Sequence, residues 1–376
     1  MEKECILCHY GEIGLKGENR RFFERRLVSN IKSVLPGIKV SLLRGRILVF
    51  GKKREVEERL KRVFGIVSFS FARIVPSLKE EIKREVISLL KEESFNSFRV
   101  TVKRADKSFP ISSVDFSSYL GAEIKKETKK EVSLQNYDLN CIVEITKKES
   151  YIYFKKIKGQ GGLPVGTGGK AVSLISGGID SPVSSFFMSR RGMKNIFVHF
   201  HAYPSTSRQS IEKVERIVKK LSLFQGKSKV YLFSFDKIQK EILLNTKESL
   251  RVLLYRRAMM KIAESIAKRE GARALITGES LGQVSSQTVE NISVTNEAVK
   301  MPIFRPLIGF DKEEIIKKAK EIETYDISIL PEDDCCIRFL PKNPATKADI
   351  KEILEEESKF SLDIKKEDLQ TLYIEP

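Results

Sequence analysis

Between residues 171 and 191 a short apolar run, Ala171-Val172-Ser173-Leu174-Ile175, passes through Ser176-Gly177-Gly178-Ile179-Asp180-Ser181-Pro182 into a segment of helical spacing. A buried-looking strand joined by a two-glycine turn to a helix opens a βαβ unit, and such units wind into a parallel sheet. The glycines let backbone pass close to a ligand, and Pro182 suits a first helical turn. Backbone N–H groups there, with the Ser176 and Ser181 hydroxyls, form a cradle for phosphate oxygens. Asp180 repels phosphate directly, so its useful role is to hold Mg²⁺ bridging the phosphates. An ordinary Gly-Gly turn capped by Asp180 is the plain alternative. A Walker A loop fails: counting back from Gly169-Lys170, Pro164 stands where a glycine is required, and Ala171 replaces Ser or Thr.

The same alternation continues downstream. Strands are expected at Ala171–Ser176, Asn195–His201, Lys229–Phe235 and Ala274–Thr277, with helices at Pro182–Arg191, Arg208–Leu221 and an interrupted Ile238–Glu270. This is the rhythm of a doubly wound α/β domain. Upstream, strand Cys5–Tyr10, helix Arg20–Val34, a hairpin of Lys39–Leu43 with Arg46–Phe50, and helix Arg54–Val63 give a βαββα order. That order suits a small ferredoxin-like α+β unit. A second unit begins near Phe69, with helices Leu78–Leu90 and Ser113–Glu131 and strands at Ser97–Lys103, Asn140–Thr146 and Ser150–Phe154. Between the two parts, Lys158 to Lys170 is too glycine-rich for regular structure and reads as a linker or a ligand-facing loop. The expected division is 1–65, 66–158, a linker 159–170, and 171–376.

Composition narrows the class. The 376 residues carry 68 Lys plus Arg against 50 Asp plus Glu, a net charge of +18, which points to a polyanionic partner, nucleic acid before membrane. Apolar runs are too short to span a bilayer. The N-terminus carries Glu2 and Glu4 with no apolar core, so a cytoplasmic location is expected, and five cysteines, an odd number, are expected as thiols. Cys5 and Cys8, in strand-like sequence without a second pair at zinc spacing, read as structural.

Taken together, the motifs resemble one family. Ser176 to Ser181 after a strand is similar to the PP-loop of ATP pyrophosphatases. Tyr10-Gly11-Glu12-Ile13-Gly14-Leu15-Lys16-Gly17-Glu18-Asn19-Arg20 resembles the opening motif of the tRNA 4-thiouridine synthetases, or tRNA uridine 4-sulfurtransferases. Phe98 to Pro110 resembles their THUMP RNA-binding domain, and Gly161 to Lys170 the loop leading into their PP-loop domain. Asp334-Cys335-Cys336, followed by Pro341-Lys342-Asn343-Pro344, resembles their catalytic-cysteine segment. The resemblance spans nearly the whole chain in order.

The resemblance implies an enzyme that adenylates uridine 8 of tRNA with ATP and Mg²⁺, then introduces sulfur to give 4-thiouridine. It implies nucleotide contacts at Leu174, Ile175, Ser176, Gly177, Gly178, Asp180, Ser181, His199, Phe200, Arg256, Gly278 and Gln287, with Arg257 left open as an alternative to Arg256. It assigns the sulfur-handling cysteine to Cys335, beside Cys336, although Glu332-Asp333-Asp334 puts negative charge there. Arg338 or Lys342 would have to compensate. Lys312 matches a lysine near the reacting phosphates. Lys16, Arg20, Arg21, Arg25, Arg26, Arg99, Lys103, Arg104 and Lys107 would grip tRNA phosphates rather than read bases.

A cysteine desulfurase or another persulfide donor is the implied sulfur source. A thiazole sulfur-carrier protein in thiamine synthesis, and a homodimer, are left open. Many members carry a C-terminal rhodanese-like domain. This sequence ends at Pro376, so that carrier is expected to be missing. Some rhodanese-free relatives use an iron–sulfur cluster; a Cys-x-x-Cys is absent from the C-terminal part of this sequence, and an iron–sulfur cluster is left open. Another PP-loop enzyme acting on tRNA, or a THUMP-bearing tRNA-binding protein, are the competing readings. A methyltransferase lacks the required Gly-x-Gly loop.

Overall fold

The computed structural model describes residues 3–51, 53–203, 205, 207–331, 341 and 343–376. The chain divides into two compact units at Gly162/Leu163.

The first unit is built on a nine-stranded sheet. Its strands are β1 Glu4–Tyr10, β2 Lys39–Leu43, β3 Arg46–Phe50, β4 Ile66–Pro76, β5 Ser97–Arg104, β6 Glu131–Val132, β7 Leu139–Ile145, β8 Glu149–Tyr153 and β9 Ile157–Lys158. They run in the order β2-β3-β1-β4-β8-β7-β5-β6, with β9 also on β4. Helices α1 Arg20–Val34, α2 Lys53–Leu60, α3 Lys79–Leu90 and α4 Ser113–Thr128 complete it. The hairpin β2–β3 turns through Arg44-Gly45, as its spacing suggests.

The sequence does not announce that β4 serves both halves. Its residues pair with β1 from Ile66 to Arg73 and with β8 from Arg73 to Pro76. Helix α4 is shorter than expected because Lys129 adopts a left-handed φ of 61°. The chain then lays Glu131–Val132 beside β5.

The sheet is strongly coiled. Strands β1 and β7 are separated by β4 and β8, three steps of about 4.8 Å each. Yet His9 Nε2 lies 3.0 Å from Glu144 Oε1, and Cys5, Leu7 and Leu48 share one buried cluster with Ile142, Tyr151 and Tyr153. Helices α3 and α4 cover part of the sheet through Ile82, Val86, Phe116 and Leu120, packed with Phe98 and Val143.

The second unit is doubly wound, as expected. Strands β10 Lys170–Leu174, β11 Lys194–His201, β12 Ser228–Ser234, β13 Leu275–Ile276, β14 Ile303–Phe304 and β15 Leu369–Ile374 stand in the order β14-β13-β10-β11-β12-β15. All neighbours are parallel except β15, an antiparallel edge strand the sequence reading missed. The helices are α5 Asp180–Arg190, α6 Gln209–Gln225, α7 Asp236–Asn245, α8 Arg251–Glu270, α9 Val289–Glu297, α10 Lys312–Glu321, α11 Tyr325–Ser328 and α12 Ile350–Glu357. The interruption expected within Ile238–Glu270 falls at Thr246, whose extended backbone ends α7. Its core joins Val172, Val198 and Phe233 of the strands to Leu254, Ala258 and Ile262 of α8.

The glycine-rich stretch is tied down within each unit. Gly159 and Gly161 donate to the carbonyls of Val67 and Ile66, at 2.9 and 2.8 Å. A Cβ on Gly159 would stand 2.3 Å from the Ile66 carbonyl oxygen, so only glycine passes. Gly166 and Gly168 both donate to the carbonyl of Gly192. Among the described residues, no helix is long and apolar enough to cross a membrane.

Candidate active site

Strand β10 is where the winding reverses: the chain goes to β11 and β12 on one side and later to β13 and β14 on the other. Loops leaving β10 and its neighbours therefore part, opening a crevice at the carboxyl ends of the strands. The loop 175–179 lies there and leads into α5.

Its shape comes from its own serines. The Ser176 N–H donates to Ser181 Oγ at 2.9 Å, the two hydroxyls lie 3.1 Å apart, and the Gly178 N–H points to Ser176 Oγ at 3.4 Å. Both hydroxyls thus fasten the loop itself. Ile175 donates to the Val198 carbonyl at 2.9 Å, while His199 Nδ1 lies 3.1 Å from the Ile175 carbonyl oxygen. His199 and Phe200 are buried, Phe200 against Phe233 and Phe235. Leu174 is only partly buried.

Asp180 is the first residue of α5. One of its oxygens receives Lys312 Nζ at 2.6 Å and the other receives Gln283 Nε2 at 2.9 Å. Lys312 opens α10, whose start is fixed by the Asp311–Glu314 capping box. The structure therefore brings together two residues 132 positions apart. An ammonium beside a helix N-terminus favours anionic oxygens.

Behind the loop runs Thr277-Gly278-Glu279-Ser280. A Cβ on Gly278 would lie 2.8 Å from Ser181 N and 2.9 Å from Asp180 C. The close approach served by this glycine is thus to the protein's own phosphate-type loop. Gln287 Oε1 accepts from the Ser280 N–H at 3.3 Å, and the Gln287 carbonyl from Gly282 at 2.9 Å, so Gln287 braces the following turn.

Glu279 is buried between two arginines. Arg256 donates to its Oε1, Arg305 Nε to its Oε2 at 2.5 Å, and Thr277 Oγ1 to Oε2 at 2.8 Å. Burial alone would raise its pKa, but the two guanidiniums and the hydrogen bonds outweigh it and hold the carboxyl below its usual range. One carboxylate between two guanidiniums leaves a net positive charge beside the loop. Arg256 also donates to Ser286 Oγ at 2.9 Å. Its neighbour Arg257 points elsewhere: it is 1% exposed and bound to Glu297 and Glu357, both at 2.9 Å.

Glu279, Arg305 and Gln283 escaped the sequence reading, although Glu279 adjoins Gly278 and Arg305 opens the segment ending in Lys312. Cys335, Cys336, Arg338 and Lys342 lie outside the described residues. Among the described residues no group of three or more His, Cys, Asp or Glu could hold a metal.

The basic residues of the first unit divide by their partners. Arg20 is held by Glu24 and Tyr10, at 2.8 and 2.7 Å. Arg104 donates to the carbonyls of Phe109 and Ile111, both at 2.8 Å. Lys16 lies over Phe23, and Arg99 over Tyr137. Arg21, Arg25, Arg26, Lys103 and Lys107 are exposed. Lys156, absent from the sequence reading, lies near Lys103; burial first and that lysine next lower its pKa.

The chain is similar to known proteins along its length. Residues 166–362 match the family described as thiamine biosynthesis protein (ThiI), residues 5–70 the ThiI ferredoxin-like domain, and residues 79–155 the THUMP domain. A protein of Caldanaerobacter subterraneus subsp. tengcongensis named probable tRNA sulfurtransferase is 47% identical over 364 residues, covering 95% of this chain and 96% of its own. One of the same name from Thermoanaerobacter sp. is 45% identical over 364 residues, covering 95% and 96%. The crystal structure of a 4-thiouridine synthetase–RNA complex with bound ATP superposes with a TM-score of 0.88 at 38% identity, covering 100% of both chains. The chain belongs to the ThiI family of tRNA sulfurtransferases.

Proposed function

We propose that this chain is an ATP-dependent tRNA sulfurtransferase forming 4-thiouridine, and that the crevice at Asp180 and Lys312 is where ATP reacts. The observation that carries this reading is the Asp180–Lys312 pair, 2.6 Å apart, at the head of α5. The likeness to the ATP- and RNA-bound synthetase supports it.

The uridine C4 oxygen is a poor leaving group. In this reading it attacks the α-phosphorus of ATP, pyrophosphate leaves, and an adenylated uridine results. The loop amides of 176–180 and the Lys312 ammonium stabilise the charge that builds on the phosphates. A sulfur nucleophile then adds to C4 and AMP departs with the original oxygen. Asp180 would hold Mg²⁺, whose charge would help neutralise that of the phosphates. The residues fit a cation held by one carboxylate and the substrate's own phosphates, not an all-protein cage. Asp180 would be that carboxylate, with the Lys312 ammonium 2.6 Å from it as the neighbouring positive charge for the phosphates.

Leu174, Ile175, His199 and Phe200 border the nucleotide at the strand ends, with Ser176, Gly177, Gly178 and Ser181 in the loop. Arg256 adds positive charge; Gly278 and Gln287 hold the neighbouring turn. Cys335 receives sulfur from a cysteine desulfurase or another persulfide donor in the cytoplasm. The family's thiamine name fits a second outlet of that sulfur to a thiazole sulfur-carrier protein. In the first unit Lys16, Arg21, Arg99, Lys103 and Lys107 meet tRNA phosphates, while Arg20 and Arg104 shape the loops that present them.

The purified chain, incubated with unmodified tRNA, MgATP and sulfide, should give tRNA with the near-ultraviolet absorbance of 4-thiouridine. ATP cleavage without any thiolated product, with tRNA still bound, would overturn the reading in favour of another PP-loop activity. Binding of tRNA with neither product would favour the RNA-binding alternative.

A further inference from the structure

Glu279 is not among the expected nucleotide contacts, yet it is among the most completely buried charges of the second unit, with a side chain 2% exposed. Removing a carboxylate from water is costly, and apolar side chains of equal volume would fill the same space as stably. Its surroundings show what the charge does. Both oxygens are taken, one by Arg256 and the other by Arg305 Nε and Thr277 Oγ1. The two arginines come from distant elements, α8 and the end of β14. Glu279 itself follows Gly278, whose backbone presses against Ser181 and Asp180. A single carboxylate therefore ties α8, the β14 end and the loop of 176–181 into one frame.

We propose that Glu279 is a positioning residue that aims the Arg256 guanidinium at the nucleotide, with Arg305 as the second cation that holds Glu279 in place. The proposal rests on the nucleotide reading given above. Of the two arginines, Arg256 is the more open, its side chain 20% exposed against 12% for Arg305. Its second anchor is Ser286 Oγ at 2.9 Å. An arginine side chain left free would lose its rotational freedom on meeting a ligand. Held at two points beforehand, it has little left to lose. Arg305 is anchored on its far side by Asn296 Oδ1 at 3.1 Å, which leaves it a brace.

A double-variant cycle tests this, with equilibrium binding of MgATP to the full chain as the readout. Glu279→Gln and Arg256→Gln are each expected to weaken MgATP by about tenfold to a hundredfold, as loss of an outer-shell partner does at metal sites. The double variant should bind no more weakly than Arg256→Gln alone, because Glu279 acts through Arg256. Affinity for tRNA should not change in any of the three. Losses that multiply in the double variant, or a Glu279→Gln chain with full MgATP affinity, would overturn the role. Should Glu279→Gln not fold, Glu279→Asp keeps the charge but withdraws it by one carbon, and the same cycle is read with it. Wild-type chain unable to bind MgATP would sink the functional reading and this role together. Wild-type thiolation with full MgATP binding by Glu279→Gln would sink this role alone.

Discussion

Each unit holds a buried carboxylate, Glu144 in the first and Glu279 in the second, whose partners come from distant elements, and the two serve different ends. Glu144 of β7 accepts from Tyr153 OH at 2.7 Å and lies 3.0 Å from His9 and 3.2 Å from Arg46, with Lys103 at 3.7 Å. These partners sit on β8, β1, β3 and β5, so Glu144 fastens the two halves of the coiled sheet across its inner face. Burial alone would raise its pKa, but the His9 and Tyr153 hydrogen bonds and the Arg46 charge hold it at about 2. Glu279 is surrounded in the same way, but a glycine-lined loop and the half-open Asp180–Lys312 pair stand beside it. A buried carboxylate is thus no sign of a site by itself. What separates the two is a phosphate-type loop next to one and an apolar cluster of sheet residues next to the other.

That contrast can be broken in several ways. The largest stability effect is expected from Glu144→Gln, which leaves Arg46 buried without its counter-charge. It should cost about 3–5 kcal/mol in denaturant titration and leave MgATP affinity unchanged. A fall in MgATP affinity instead would mean that Glu144 is more than a fastener.

Acid should find the same residue. A carboxyl depressed from 4.5 to about 2 stabilises the fold fully above pH 4.5, and that stability is lost as pH falls toward 2. The loss is on the order of 3 kcal/mol. Hydrogen-exchange protection of β7 and β8 amides, corrected for the intrinsic pH dependence of exchange, should fall over that window in wild type and show no such change in Glu144→Gln.

Gly278→Ala comes next. Its methyl meets backbone atoms of Asp180 and Ser181 below 3.0 Å, at a cost of about 1–3 kcal/mol. MgATP binding should weaken, because the loop must move; calorimetry showing wild-type affinity would place the phosphates elsewhere. The smallest change is expected from Lys107→Ala. As one phosphate contact among several, it should reduce the slope of log affinity for tRNA against log salt by no more than about 1.

Much of this was legible in the sequence because apolar runs in parallel strands and helical spacing are local signals. The loop 176–181 announces itself, and it fixes β10, α5 and the edge of the sheet where the crevice opens. Pairing is not local. Nothing in Ile66–Pro76 reveals that one strand serves two halves, since period gives the faces of a strand and not its neighbours. Strand β15 escaped although Leu369, Leu372, Tyr373 and Ile374 are apolar, because they do not alternate with polar residues and the antiparallel pairing with β12 is not a local signal.

At the site, residues adjoining the loop or the strand ends were readable by motif. Arg256 and Arg257 were not separable, since consecutive helical residues point about 100° apart and sequence does not say which direction is inward. Packing does: Arg257 is enclosed by Glu297 and Glu357, and Arg256 faces Glu279. Glu279 and Arg305 were invisible because their meaning is their partnership, 26 residues apart.

The central claim is that the second unit activates a uridine of the tRNA that the first unit holds. Its most direct test is AMP release from ATP, measured with and without unmodified tRNA, in wild type and Asp180→Ala. Wild type should release AMP only when tRNA is present. Asp180→Ala should lose about a hundredfold to a thousandfold of that rate while binding tRNA as tightly as before. AMP release independent of tRNA, or undiminished in Asp180→Ala, would contradict the account.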